Sequence, residues 1–321
     1  MADIRYLATA AVVAQLDTAT VGGTIETGDI FTLTVTGLDG TTHEVTISAA
    51  DTTIALTVAD LVTAWNNSTN SLTTGITAVD ASPDVTLTAD VAGVAFSVAA
   101  TTTEAGGGAA DGQTFVLVNT TSNAGPSDWS SADNWSGGAV PGGAGSQNVF
   151  IEDSLVDILY GLDQSGIGNT LDSLNISASY RGKIGTDGAT GVAADYLQIK
   201  ATIVNIGAET GPGTQSGSAR IKLDLGATAS TVNVYRTASS TDIGKASLRL
   251  KAASASTTVN VFRGSVGLAI EPGETTTVGS VNISWIVNRA NHLSNSRELY
   301  LVYQFPRYSI LDARSPSLLI A

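Results

Sequence analysis

The residue types that carry most hydrolytic and transfer chemistry are scarce in this chain. It has no cysteine, which excludes disulfides, thiolate metal sites and cysteine nucleophiles. Its two histidines, His43 and His292, lie far apart, and neither stands in a recognisable catalytic motif. Asp128, Asp133 and Asn134 could bind Ca²⁺ but lack the ligand spacing of an EF-hand loop. We therefore expect no catalytic residue, no metal and no cofactor.

Paired carboxylates are the remaining catalytic alternative, because two acids about 5–9.5 Å apart can hydrolyse a polysaccharide. The second half of the chain offers candidates, none of which forms a distinctive pair in sequence: Asp172, Asp187, Asp195, Glu209, Asp224 and Asp242. The aromatic residues that could support a sugar ring there are few: Tyr180, Tyr196, Tyr235 and Phe262. We predict that the protein is not an enzyme, and keep a polysaccharide lyase or hydrolase as a minor alternative.

A recurring triplet of apolar residue, asparagine and apolar residue organises the second half of the chain. The asparagines are separated by 30, 28, 27 and 22 residues, and they are Asn175, Asn205, Asn233, Asn260 and Asn282. Two copies align without a gap, residues 220–236 over residues 247–263. Repeats at such periods predict a solenoid, in which each repeat buries its apolar face by stacking on the next.

The pattern inside each repeat indicates which kind of solenoid forms. Apolar residues alternate with polar ones, as in Ile221, Leu223 and Leu225, and period 2 is typical of strands. We therefore predict a short single-stranded parallel β-helix over residues 148–284. If the apolar residues point into its bore, the asparagines face outward and their amides can bond along the stack.

Charge is divided unevenly along the chain. Residues 1–170 hold 19 acidic and one basic residue, a net charge of −18, whereas residues 171–321 hold 10 acidic and 14 basic residues, a net of +4; together these give −14. No tract of clustered basic and aromatic residues predicts nucleic-acid binding. No apolar run reaches the length of a membrane span, and the N-terminus has no signal peptide.

The first third of the chain predicts a lead-in arm, residues 1–23, and a small α/β module, residues 24–105. The alternating segments IFTLTVT and THEVTIS flank an L-D-G-T turn and form a hairpin. A helix near residues 58–67 carries Val58, Leu61 and Trp65 on one face, and Trp65 packs it on the sheet. Two further strands complete the predicted order ββαββ.

Residues 106–147 are predicted to be a glycine-rich linker followed by a cap. An uncovered solenoid end would expose its bore, and two tryptophans in a glycine-rich turn, Trp129 and Trp135, could close it.

The last segment, residues 285–321, either caps the other end of the solenoid or forms an interaction arm. Because Tyr and Arg are enriched at interfaces, we mark its candidates for partner contact. These are Arg289, Arg297, Tyr300, Tyr303, Arg307, Tyr308 and Arg314.

Two segments carry a family resemblance. The module, with G-G-T-I-x-T-G-D-x-F-T-L-T-V and then D-L-V-x-x-W-N, resembles small modules of tailed-bacteriophage virion proteins. The turn from Trp129 through Asn134-Trp135-Ser136 is similar to the entry motif of β-helical surface and virion proteins. The resemblance implies a non-enzymatic virion structural protein, assembled in the host cytoplasm.

Within that resemblance, we expect a capsid decoration, or cement, protein. It would act as a homotrimer on the major capsid protein or another virion protein, without binding nucleic acid or membrane. The alternative is a tail fibre, spike or adhesin that binds host surface glycan. Shell and tail locations both stay open at this point, as does the end of the solenoid that meets the partner.

Overall fold

The computed structural model describes residues 2–106, 112–143, 145–188, 195–208, 220–237, 247–264, 266–268 and 274–283, and the backbone of residues 301–302. In chain order its elements are β1 (Ala2–Arg5), β2 (Leu16–Gly23), β3 (Ile30–Thr36), β4 (Thr42–Ser48), α1 (Ile54–Asn66), β5 (Ile76–Ala81), β6 (Asp84–Ala89), β7 (Ser97–Thr103), β8 (Gln113–Thr121), a 3-10 turn (Ala132–Asn134), β9 (Gln147–Ile151), β10 (Leu171–Ser177), β11 (Leu197–Gln198), β12 (Ala201–Ala208), β13 (Ile221–Asp224), β14 (Thr231–Val234), β15 (Leu248–Lys251), β16 (Ala253–Val261), β17 (Val266–Leu268), β18 (Thr277–Ile283) and β19 (Leu301–Val302). The predicted mainly-β class is confirmed. Within the part described, no helix is long and apolar enough to span a membrane.

The N-terminal module consists of two antiparallel sheets and one helix. The strand order is β5-β6-β2-β8 in one sheet and β4-β3-β7 in the other. Phe31 on β3 and Phe115 on β8 meet edge to face with ring centroids 5.7 Å apart, so the two sheets share one core. Trp65 of α1 is buried in the same core and donates a hydrogen bond from Nε1 to the Ile76 carbonyl oxygen at 2.9 Å.

This module has more strands than the predicted order ββαββ. The hairpin β3–β4 lies where the alternation placed it, but α1 begins at Ile54, earlier than expected. The added strands are β2, in the predicted arm, β5, and β8, which pairs with β2 from beyond the glycine-rich segment. The core residues of β2 include the small Ala19, so its alternation is a weak hydrophobic signal.

The solenoid is built from two parallel sheets. The longer sheet has the order β1-β9-β10-β12-β14-β16-β18, and the shorter one has the order β11-β13-β15-β17-β19. Each strand pairs with its equivalent in the next coil, for example Val204 with Val232 and Val232 with Val259. The predicted solenoid is therefore confirmed.

A dry core fills the bore between the two sheets. Leu174 and Val204 in the longer sheet and Leu223 and Leu250 in the shorter one are fully buried and belong to one cluster. Burying an aliphatic side chain of this size contributes about 1.5–3 kcal/mol before the loss of chain entropy is counted. The stacking of apolar residues across coils therefore holds the solenoid together.

The first rung of the longer sheet comes from the extreme N-terminus. Strand β1 pairs in parallel with β9, with Ile4 opposite Val149. Residues 1–23, predicted to be a single arm, thus contribute β1 to the solenoid and β2 to the module. Only Ile4 points into the core from this four-residue strand, which is too little for a periodic signal in the sequence.

Both tryptophans of the predicted cap lie in the solenoid core at this end. Trp129 and Trp135 are fully buried, with ring centroids 4.5 Å apart, and Trp135 Nε1 donates to the Trp129 carbonyl oxygen at 2.8 Å. Tyr6 packs on Trp135 at 5.2 Å, and its hydroxyl donates to the carbonyl oxygen of Pro126. The aromatic cluster therefore closes the end of the bore beneath β1.

Candidate functional site on the outward face of the longer solenoid sheet

The five asparagines of the triplets lie directly above one another on the longer sheet. Each Nδ2 donates to the Oδ1 of the asparagine one coil earlier: 2.8 Å for Asn205 to Asn175, 3.0 Å for Asn233 to Asn205, and 2.9 Å for Asn260 to Asn233 and for Asn282 to Asn260. The flanking Val, Ile and Leu side chains enter the bore, so the amides face outward. The result is a hydrogen-bonded amide ladder.

The ladder begins below a charged edge. Phe150 of β9 occupies the position above Asn175, and Asn175 Nδ2 donates instead to the Val149 carbonyl oxygen at 3.2 Å. The Arg5 guanidinium lies 4.8 Å from the Phe150 ring centroid and 3.3 Å from a Glu152 carboxylate oxygen. Charge on this face is thus concentrated at the capped end.

Beyond that end, the outward positions of the sheet are uncharged. Thr231, Thr258 and Ser280 form one column beside the ladder, and they pair in register from coil to coil. On the other side of the ladder lie Tyr235 and Phe262, whose rings stack at 5.1 Å with an interplanar angle of 9°. These two aromatic side chains are 42% and 40% exposed, in contrast to the buried Trp pair.

The outward face of the shorter sheet has a different chemistry, because charged side chains are buried there. Lys222 is 1% exposed, and its Nζ donates to Asp187 Oδ1 at 2.7 Å and to the Thr186 carbonyl oxygen. Arg220 donates to the same carboxylate at 2.6 Å. Burial lowers the pKa of Lys222 to about 8, although Asp187 opposes that shift. Burial also disfavours charge on Asp187, but Lys222 and Arg220 outweigh it and lower its pKa to about 2.

A second polar group lies one coil further along this sheet. The Tyr196 hydroxyl donates to Glu274 Oε2 at 3.1 Å, and Lys251 Nζ lies 4.9 Å from the Tyr196 ring centroid. Lys251 also lies 3.5 Å from Asp224 Oδ2. Burial raises the pKa of Glu274 and, together with the charge of Glu274, that of Tyr196. These contacts tie the covering segments to the sheet.

The carboxylates considered as catalytic candidates are therefore distributed. Asp187 and Asp224 are engaged by basic side chains, whereas Asp195 lies at the edge of an open cleft. Glu209 and Asp242 lie outside the described residues. His43 Nε2 lies 3.2 Å from Ser68 Oγ within the module.

The residues considered for calcium have a structural role. Asn134 is fully buried; its Oδ1 accepts from the Ala10 amide at 2.9 Å, and its Nδ2 donates to the carbonyl oxygens of Gly125 and Asp128, both at 2.8 Å. Its amide thus fixes the segment that links β1 to the module. Among the residues with described positions, no group of three or more His, Asp or Glu side chains could hold a metal ion.

A cleft of about 610 Å³ between the module and the solenoid was not foreseen from the sequence. Loops at Leu72 and Phe96 line one side, and Tyr160, Asp195 and Tyr196 line the other. The cleft exists only because the module folds back on the first coils, which no local sequence pattern indicates.

The candidates for partner contact in the C-terminal segment, from Arg289 to Arg314, lie outside the described residues. Only the backbone pairing of β19 with β17 is described there, and it continues the shorter sheet. The choice between a cap and an arm stays a prediction.

The fold and this face define a β-solenoid protein with a β-rich N-terminal module. Comparison with protein-family models, curated proteins and solved structures found no match. The functional conclusion therefore depends on the residues and geometry described above.

The amide ladder yields a prediction about stability. Asn233→Ala removes two ladder hydrogen bonds and leaves the Asn205 Oδ1 and Asn260 Nδ2 without those partners, so we expect a loss of about 1–2 kcal/mol in the free energy of unfolding. The matched variant Asn282→Ala removes one bond at an exposed position and should cost less. Urea denaturation of both variants measures the difference; equal costs would contradict a continuous ladder.

The buried Lys222 yields a prediction about pH. Its folded pKa, about 8, lies below its ordinary 10.5, so protonated Lys222 opposes folding below pH 8 and stability rises between the two values. The half-exposed Asp187 offsets this cost, and its contribution is lost as pH falls through its folded pKa of about 2.

Asp187→Asn should therefore cost about 1–2 kcal/mol at neutral pH, and less above pH 8, where Lys222 is neutral. Urea unfolding in the two pH ranges tests this, with Asp163→Asn on an exposed turn as the control. A deficit that does not change with pH would show that Lys222 does not depend on Asp187.

Proposed function

We propose that this chain is a non-enzymatic structural protein of a bacteriophage virion, most probably a decoration or cement protein of the capsid shell. The observation that supports the proposal is the long outward face of the solenoid, whose ladder and side columns are regular and uncharged. Such a face can lie against another protein without burying unpaired charge. The resemblance of the module and the tryptophan turn to virion proteins points in the same direction.

The architecture suits a part that must stay rigid in an assembly. Stacked coils with a hydrogen-bonded spine resist bending because each coil is bonded to the next through both backbone and side chains. A chain without cysteine also folds in a reducing cytoplasm, where virions assemble. We propose that the chain acts as a homotrimer with the major capsid protein, or another virion protein, as its partner.

A second candidate function is a tail fibre, spike or adhesin that binds host surface glycan. One observation favours it: Tyr235 and Phe262 present a stacked aromatic pair to solvent beside the amide ladder. Exposed aromatic rings next to hydrogen-bonding side chains suit the mixed apolar and polar surface of a sugar.

The copy number per virion distinguishes the two functions. Quantitative mass spectrometry of purified particles should find this chain at a level comparable with the major shell subunit. A number as small as a single tail ring would contradict the decoration role and favour the second candidate.

The contact face can be tested in the same particles. Thr231→Arg places a charge among the uncharged columns and should lower the number of copies per particle. Thr114→Arg, at an exposed position on β8 of the module, is the matched control and should leave the number unchanged. Equal incorporation of both variants would show that the shell contact lies elsewhere on the protein.

A further inference from the structure

The aromatic pair on the longer sheet has one ring face with no side chain in front of it. Phe262 covers one face of the Tyr235 ring, since the two rings are nearly parallel. On the opposite side, the preceding coil carries Gly207 at the equivalent position, two residues after Asn205. The Tyr235 amide donates to the Ile206 carbonyl oxygen at 2.9 Å, which places the two coils in direct contact there.

Gly207 is fixed at this position by the backbone. Its φ of +69° lies in the left-handed region that favours glycine, and a Cβ there would collide with the Arg236 carbonyl oxygen. The gap beside the Tyr235 ring is therefore built into the fold. No larger residue can close it without moving the next coil.

The neighbouring ladder retains hydrogen-bonding capacity. A carboxamide has two N–H groups and an oxygen with two lone pairs, and each inner ladder member uses one of each. Asn205 and Asn233 are only half-buried, so the remaining N–H and lone pair are accessible from outside. Equivalent groups recur at about 4.8 Å along the stack.

We propose that the Tyr235 ring, the Gly207 gap and the adjoining amides of Asn205 and Asn233 form a binding site for a neutral sugar ring. The apolar C–H face of the sugar stacks on Tyr235, and its hydroxyls exchange hydrogen bonds with the amides. Phe262 holds the Tyr235 ring in place from behind. This assignment rests on the second candidate function and names its site and ligand class.

The charge and size of the surface favour a sugar over other ligands. The outward positions around the pair carry no charge, so nothing there compensates an anionic or cationic group. The exposed apolar surface is small, because polar Thr and Asn surround two aromatic rings. A stable protein interface needs a larger apolar centre than this pair supplies.

A glycan array carrying neutral and acidic oligosaccharides tests the proposal with the full-length protein. We expect binding to neutral glycans, and an affinity loss of about tenfold or more for Tyr235→Ala, measured by titration with the best neutral oligosaccharide. Phe262→Ala should weaken binding less, because Phe262 supports the ring from the far side. Val116→Ala removes an equally exposed apolar side chain from the module and is the matched control.

The outcomes separate the site from the function. Neutral-glycan binding that Tyr235→Ala leaves intact would overturn the site while the glycan-binding function stands. Binding to no glycan, or to acidic glycans only, would overturn the neutral-sugar site, and the former also overturns the second candidate function. Circular dichroism of Tyr235→Ala, and the conservative Tyr235→Phe, which should keep most of the affinity, exclude misfolding as the cause of a loss.

Discussion

The register of the parallel strands in the longer sheet is the constraint on which the rest of the structure depends. Side chains alternate between bore and surface, so a shift of one residue in any coil would bring an asparagine into the core and a valine to the surface. The pairing of Asn205 with Asn233 and of Val204 with Val232 satisfies both requirements at once. The amide ladder and the dry core are two consequences of a single register.

That register also determines what happens at the ends. A parallel solenoid cannot turn its last strand back on itself, and an open end exposes both backbone groups and the bore. Here the N-terminal end is closed by a strand from the start of the chain, by Tyr6 and by the Trp129–Trp135 pair. Because β1 precedes the module in sequence, the chain must leave the solenoid and return to it. The module is thereby anchored at both of its ends next to the cap.

The parts of the fold that repeat could be predicted from the sequence, and the parts that occur once could not. Each triplet repeats the same alternation, so the Asn column and its direction follow from the pattern. Strand β1 and the burial of Lys222 have no repeat to reveal them; both depend on segments distant in sequence. Tyr235 and Phe262 were visible only as scarce aromatics, because their stacking and the gap at Gly207 require the coils to be in place.

Cross-linking of engineered cysteines tests the register most directly, because the natural chain has none. In Asn233→Cys/Asn260→Cys the two residues are opposite each other on neighbouring parallel strands, within the Cα separation of about 4.4–6.8 Å that a disulfide requires. In Asn233→Cys/Thr258→Cys the partners are offset by two residues, beyond that separation. Mild oxidation followed by mass spectrometry should find the disulfide in the first variant only. A disulfide in the offset variant, or none in the first, would contradict the in-register solenoid.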